Sequence, residues 1–314
     1  MEVFFLLISI VLFSGSKAFP VDDDDSDIII VDSVLENSID GDDSIIDVSS
    51  LGPEAFGIPK NESGDNVAEW TESSLMNPEE MGGYAEGDIL MPKFARNGIR
   101  ERTVRWENGI IPYAIDKAGY NRDQQDMIMK AIADYHRLTC LRFVPYSGQT
   151  DYIIIKNTNT GCWSSVGRTG GRQEVNLQAP GCVSKKGTIL HELLHAIGFL
   201  HEQSRPERDD FVYIQYSNIK PGAENNFKKA DTKRTSDFGV SYDYNSVMHY
   251  SEYAFSKNSQ KTIVPKIKDM KLGQREGLSR GDVKKVNNMY NCKKEEPTSG
   301  WVGQVWQSFF GTKT

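Results

Sequence analysis

The run His191-Glu192-Leu193-Leu194-His195-Ala196-Ile197-Gly198-Phe199-Leu200-His201 holds three of the five histidines in this 314-residue chain. His191 and His195 stand four apart, so a helix projects both imidazoles from one face, one turn apart. Neutral imidazole is a good zinc ligand, and two such rings can grip one ion. Glu192 follows the first ligand and lies beside the metal without a coordinating duty. A general base needs that place to take a proton from water held by the ion. Gly198 can adopt the left-handed conformation that reverses the chain, which brings His201 back as a third ligand. A fourth position stays open for water, as in catalytic rather than structural zinc sites.

These residues need a scaffold. The spacing predicts a metal-bearing helix over 188–197. Another helix is expected from an Asn121 N-cap to Leu138, with Ile128, Ala131, Ile132, Tyr135 and Leu138 as its apolar stripe. His136 on that helix reads as a packing or surface residue. Short β-rich runs follow at 141–144 and 152–155. After the metal helix the pattern is irregular until a late helix over 279–290, with Val283, Val286, Met289 and Tyr290 on its apolar face. Residues 19–96 carry no sustained period and contain the turn pairs Asn77-Pro78 and Gly82-Gly83.

The histidine run, together with Ser246-Val247-Met248-His249-Tyr250 downstream, resembles the metzincin signature and its Met-turn. The continuation His201-Glu202-Gln203-Ser204-Arg205-Pro206-Glu207-Arg208-Asp209 resembles the extended motif of the astacin family, which usually has Asp where Glu207 stands. The likeness runs from about Trp106 to Cys292. It implies an α+β, metzincin-like two-subdomain zinc protease fold, with an N-terminal twisted sheet, two long helices and an irregular C-terminal subdomain. It implies one Zn²⁺ per catalytic domain and hydrolysis of peptide bonds in proteins or peptides. Tyr250 matches the tyrosine that ligates the metal at rest and swings away to stabilise the oxyanion. Met248 matches the apolar floor under the histidines. The segment Cys162-Trp163-Ser164-Ser165-Val166-Gly167 resembles the edge strand above the cleft, so Trp163, Ser164 and Ser165 are expected to hold an extended substrate.

Glu86-Gly87-Asp88-Ile89 resembles the family's prosegment motif, in which an aspartate takes the open zinc position. Asp88 is therefore the expected latency ligand, although the family often has Phe where Ala85 stands. The matching mature start is Asn97, so a trypsin-like protease is expected to cut after Arg96. The freed ammonium would then be buried against Glu202. Four cysteines allow three pairings; the resemblance implies Cys140–Cys292 and Cys162–Cys182.

Charge divides the chain in the same place. Residues 1–96 hold 21 Asp/Glu and 4 Lys/Arg, whereas residues 97–314 hold 23 and 32. An acidic stretch of this kind is solvated by composition, and it can also lie against a basic enzyme. The apolar run from Phe4 to Phe13, before Ser16-Lys17-Ala18, reads as a secretory signal. No later run is long and apolar enough to span a bilayer. The expected organisation is a signal peptide (1–18), an acidic inhibitory prosegment (19–96), a catalytic domain (97–292) and a C-terminal tail (293–314) carrying Trp301, Val302, Val305, Trp306, Phe309 and Phe310. Secretion, a monomeric state and no nucleic-acid partner are expected. Asn61-Glu62-Ser63 is a glycosylation sequon.

Lys257, Lys266, Lys268, Lys271 and Arg275 follow the Met-turn, where relatives shape the pocket for the residue after the scissile bond. A cation there favours an acidic side chain, and Arg275 has the fork to grip a carboxylate. A rival reading is a secreted interaction protein on the same scaffold. It would gain from the loss of Glu192 or of a ligand, and all are intact.

Overall fold

The computed structural model describes residues 45–92, 102–231 and 235–293. The expected signal sequence, the acidic run from Asp22 to Asp43, the Arg96–Asn97 cut and the aromatic tail lie outside the described residues.

The N-terminal segment contributes β1 (Ile45–Asp47), β2 (Phe56–Gly57), helix α1 (Asn61–Ala68) and β3 (Met91–Pro92). Strand β4 (Arg102–Val104) follows, then β5 (Ile110–Ile115) and helix α2 (Arg122–Leu138). Next come β6 (Arg142–Pro145), β7 (Tyr152–Lys156), β8 (Cys162–Ser164), β9 (Arg172–Leu177) and helix α3 (Lys186–Ala196). Strands β10 (Val212–Ile214) and β11 (Ile263–Pro265) and helix α4 (Arg280–Met289) complete the order.

Five strands form a sheet in the order β6-β5-β7-β9-β8, parallel except for the edge strand β8. Parallel neighbours need a crossover, and α2 supplies the one between β5 and β6. An Asn121–Gln124 capping box starts α2, and its buried face is Ile128, Ala131, Ile132 and Tyr135. The Tyr135 hydroxyl donates to Leu190 O at 2.7 Å, tying α2 to α3. Every residue of α3 from Gly187 to Ala196 is buried, so this helix runs through the core instead of lying on it. A second core of Val212, Ile219, Phe227, Tyr242, Tyr250, Phe255 and Ile263 lies around the β10–β11 pair amid short 3₁₀ turns. The fold is thus α+β, with a sheet-and-helix half and an irregular half. Among the described residues no helix is long and apolar enough to cross a membrane.

Residues 45–92 correct the expectation of a patternless solvated segment. Val48, Leu51, Ala55, Phe56, Ala85, Ile89 and Met91 bury themselves against Val166. Strand β1 pairs with β4, and β2 pairs with β3. These apolar residues are spaced by turns and meet only in the folded chain, so no helical or strand period betrays them. Asn61 is exposed at the start of α1, while Ser63 of the same sequon is buried and accepts from Gly83 N at 3.0 Å.

Cys140 pairs with Cys292, linking the end of α2 to the end of α4. Cys162 pairs with Cys182, linking the edge strand to the turn before α3.

Candidate active site

Helix α3 delivers His191 and His195, and its C-terminus is closed by groups from three other parts of the chain. Trp106 Nε1 donates to Ala196 O at 2.8 Å, Tyr290 OH to Ile197 O at 2.8 Å, and Gly167 N to His195 O at 2.9 Å. These bonds satisfy carbonyls that a helix end leaves without partners. Gly198 then takes φ +116°, and a Cβ there would collide with Ile46. The reversal carries His201 back to its two counterparts.

Each histidine has an acceptor at Nδ1: Val247 O for His191 (2.8 Å), Phe199 O for His195 (2.7 Å) and a Glu86 carboxylate oxygen for His201 (2.7 Å). A neutral ring with its proton on Nδ1 presents a bare lone pair at Nε2. The three Nε2 atoms converge on Asp88. One Asp88 oxygen lies 3.0 Å from His191 and 3.3 Å from His201, and the other lies 3.4 Å from His195. The four ligand atoms all fall within 4.8 Å of one another, and all four residues are buried. Three lone pairs and a carboxylate pointed at one place repel unless a cation lies between them. The donor set fits zinc, and each ring is oriented by a hydrogen bond on its far nitrogen, as metal-binding histidines usually are.

Glu192 is fully buried, and neither of its carboxylate oxygens has a hydrogen-bond partner among the described residues. Burial first, then the charges of Asp88 and Glu79, push its carboxyl well above the usual range. A bound cation would pull it back down. Met248 is buried, and its carbonyl accepts from Glu202 N at 3.0 Å.

The N-terminal segment fills the cleft. Tyr250 packs its ring 4.7 Å from that of His201, and its hydroxyl donates to Glu86 O at 2.6 Å. Glu86 therefore holds both Tyr250 and His201, and it does so with a strained φ of +47°. Residues 88–90 lie along the edge strand in the parallel sense. Ser164 N donates to Asp88 O, Leu90 N to Ser164 O, and Ser165 Oγ to Leu90 O, at 2.9, 2.9 and 2.7 Å. Trp163 is buried under Tyr84 and Leu90.

Arg275 is no solvated cation. Its side chain is fully buried against Glu79 of the N-terminal segment, and it also donates to His249 O at 3.2 Å. Lys257, Lys266, Lys268 and Lys271, by contrast, are exposed. Adjacent Glu80 accepts from Ser251 N and Oγ at 2.5 and 2.6 Å. Glu202 already has cations of its own: Lys285, and Arg205 at 3.0 Å. Burial would raise its carboxyl, but these cations outweigh burial and lower it. Glu202 is thus paired with two cations in this structure. Glu79, Glu86 and Lys285 escaped the sequence reading. Of the three, only Glu86 had a signal, as a neighbour of Asp88 in its own motif.

Comparison with known proteins fits this geometry. The chain is 42% identical over 248 residues to zinc metalloproteinase nas-14 of Caenorhabditis elegans, covering 78% of this chain and 47% of that protein. It is 41% identical over 230 residues to astacin-like metalloendopeptidase of Mus musculus, covering 71% and 51%. The match thus spans about half the length of these curated relatives. Among solved structures, high choriolytic enzyme 1, a hatching enzyme zinc-protease from the medaka Oryzias latipes, superposes with a TM-score of 0.56 at 39% identity, covering 61% of this chain and 94% of that one. The model of the Astacin peptidase family matches residues 98–291, most of the chain, and the protein belongs to that family.

Proposed function

We propose that this protein is a secreted zinc-dependent endopeptidase made as a latent zymogen. The observation that carries this reading is the convergence of His191, His195 and His201 on Asp88. With Asp88 withdrawn, three protein ligands and one open position remain, the pattern of a catalytic zinc site. Zinc, when bound, supplies a Lewis acid for the scissile carbonyl and lowers the pKa of the attacking water.

The chain's own residues do the rest. Glu192 takes the proton of the attacking water and passes it to the leaving nitrogen. Its lack of any hydrogen-bond partner among the described residues supports that role. Tyr250, once released from Glu86 O, donates its hydroxyl to the developing oxyanion. Met248 gives the histidines an apolar floor. Substrate replaces residues 88–90 on the edge strand, held by Ser164 backbone groups and the Ser165 hydroxyl, with Trp163 as an apolar wall. Arg275 takes the side chain after the scissile bond and favours Asp or Glu.

Residues 19–96 act as the prosegment, and Asp88 is its latency ligand. A trypsin-like protease cuts between Arg96 and Asn97, leaving 97–292 as the catalytic domain and 293–314 as a tail. The freed ammonium of Asn97 then shares Glu202 with Lys285 and Arg205. The apolar N-terminal run and two disulfides support a signal peptide and an extracellular location. Exposed Asn61 is the glycan acceptor.

The test uses the full chain with Arg96→Gln to block the cut. Adding Asp88→Ala should release protein-cleaving activity or self-degradation. A stable, inactive double variant would remove Asp88 from the mechanism.

A further inference from the structure

Asp282 holds a carboxylate where a helix cap does not need one buried. It is the third helical residue of α4 and closes a capping box with Ser279: Asp282 N donates to Ser279 Oγ at 2.8 Å, and Ser279 N donates to the Asp282 carboxylate at 2.9 Å. Such boxes form readily at a helix surface. Here the residue is only 2% exposed, and both oxygens reach beyond the helix into the Met-turn. Ser246 Oγ donates to one at 2.6 Å, and Val247 N donates to the other at 2.9 Å. Burying a carboxylate is costly, so the interactions that compensate it are specific. They end on the metal site. The carbonyl of Val247, the residue Asp282 grips by its N–H, accepts the Nδ1 proton of His191 at 2.8 Å. Ser246 Oγ also accepts from Met248 N at 3.1 Å, and Met248 O accepts from Glu202 N, next to His201, at 3.0 Å.

We infer that Asp282 is a positioning residue for the zinc site, fixing the 246–248 turn so that Val247 O orients His191 and Met248 O anchors the stretch of chain carrying His201. It touches neither metal nor substrate. Its effect travels through two backbone carbonyls that cannot rotate while its carboxylate holds the turn's N–H and hydroxyl groups. The disulfide Cys140–Cys292 tethers the far end of α4, so the helix is a fixed point against which the turn is held.

The inference rests on the zinc reading and is tested by zinc affinity, measured on the uncut chain by chelator competition. Asp282→Asn keeps the size of the side chain and loses one strong acceptor. Its zinc affinity should fall about 10- to 100-fold, the usual effect of disturbing a group that orients a ligand. The absorption bands of the cobalt-substituted chain should shift with it, since they report ligand geometry. Ser279→Ala removes the hydroxyl half of the capping box and that hydroxyl's bond to Asp243, but leaves the bonds from Ser246 and Val247 to Asp282. It should lower the melting temperature by a few degrees, as cap losses do, with zinc affinity and cobalt spectrum unchanged. Ser246→Ala, a milder cut in the same chain of bonds, guards against an Asp282→Asn chain that does not fold, and should weaken zinc several-fold. Unchanged affinity in Asp282→Asn or Ser246→Ala, or an equal loss in Ser279→Ala, overturns the proposal. A wild-type chain that binds no zinc removes the zinc reading itself, and the proposal falls with it.

Discussion

The Arg275 guanidinium and the Glu79 carboxylate, 196 residues apart in sequence, meet where neither side chain has any exposure to solvent. Breaking such a buried pair by removing one charge is expensive, about 3–5 kcal/mol. Glu79→Gln should therefore destabilise the uncut chain by roughly that amount in urea unfolding. If cleavage after Arg96 removes residues 19–96, as proposed, the effect should vanish in the cut protein. Equal destabilisation before and after the cut would place the loss elsewhere.

The same pair bears on specificity. If the proposed cleavage removes Glu79, Arg275 keeps two backbone acceptors, His249 O and Gln274 O, and no ion-pair partner among the described residues. An acidic residue after the scissile bond should restore it, and a peptide library should report that preference. Arg275→Lys keeps the charge and loses the fork, so it should blunt the preference. Indifference of the wild type to Ala or Asp at that position would end the idea.

Glu192→Gln should retain zinc and fold while kcat drops at least about 100-fold, the usual contribution of a general base. The amide cannot take the proton, and the site is otherwise unchanged in size. Zinc content and turnover would be measured on the same activated sample, and a variant keeping a tenth of the activity would rule out the assignment.

His136 predicts a pH dependence of stability. Its Nε2 accepts from Phe143 N at 2.9 Å, which requires the neutral ring. Burial first, then Arg142, lower its pKa from the ordinary 6.5. The unfolded chain therefore binds the proton more readily, and this contribution to stability is present above about pH 6.5 and lost as pH falls through and below it. The stability gap between wild type and His136→Gln, followed by thermal unfolding from pH 7.5 to 5, should narrow toward the acidic end. A constant gap would show that His136 does not titrate on unfolding.

Local spacing made part of this protein legible. A helix fixes which side chains share a face, so His191, His195 and the stripe Ile128-Ala131-Ile132-Tyr135 could be placed from periodicity alone, and Asn121 and Ser279 could be read as helix starts. The Gly198 reversal added His201, and resemblance carried the reading further, to Asp88, Tyr250 and the cysteine pairs. The tertiary structure decided the rest, because burial and charge pairing join residues with no shared period. Val48, Leu51, Phe56 and Met91 look like loop residues until Val166 packs against them. Arg275 stood in sequence as one of five cations after the Met-turn, and only the fold buried it against Glu79. Glu202 found Lys285 through the approach of α4, a partner no spacing along the chain could announce. The roles of the imidazole nitrogens were likewise undetermined until Val247 O, Phe199 O and Glu86 each accepted a hydrogen bond from an Nδ1–H and turned three lone pairs toward one point.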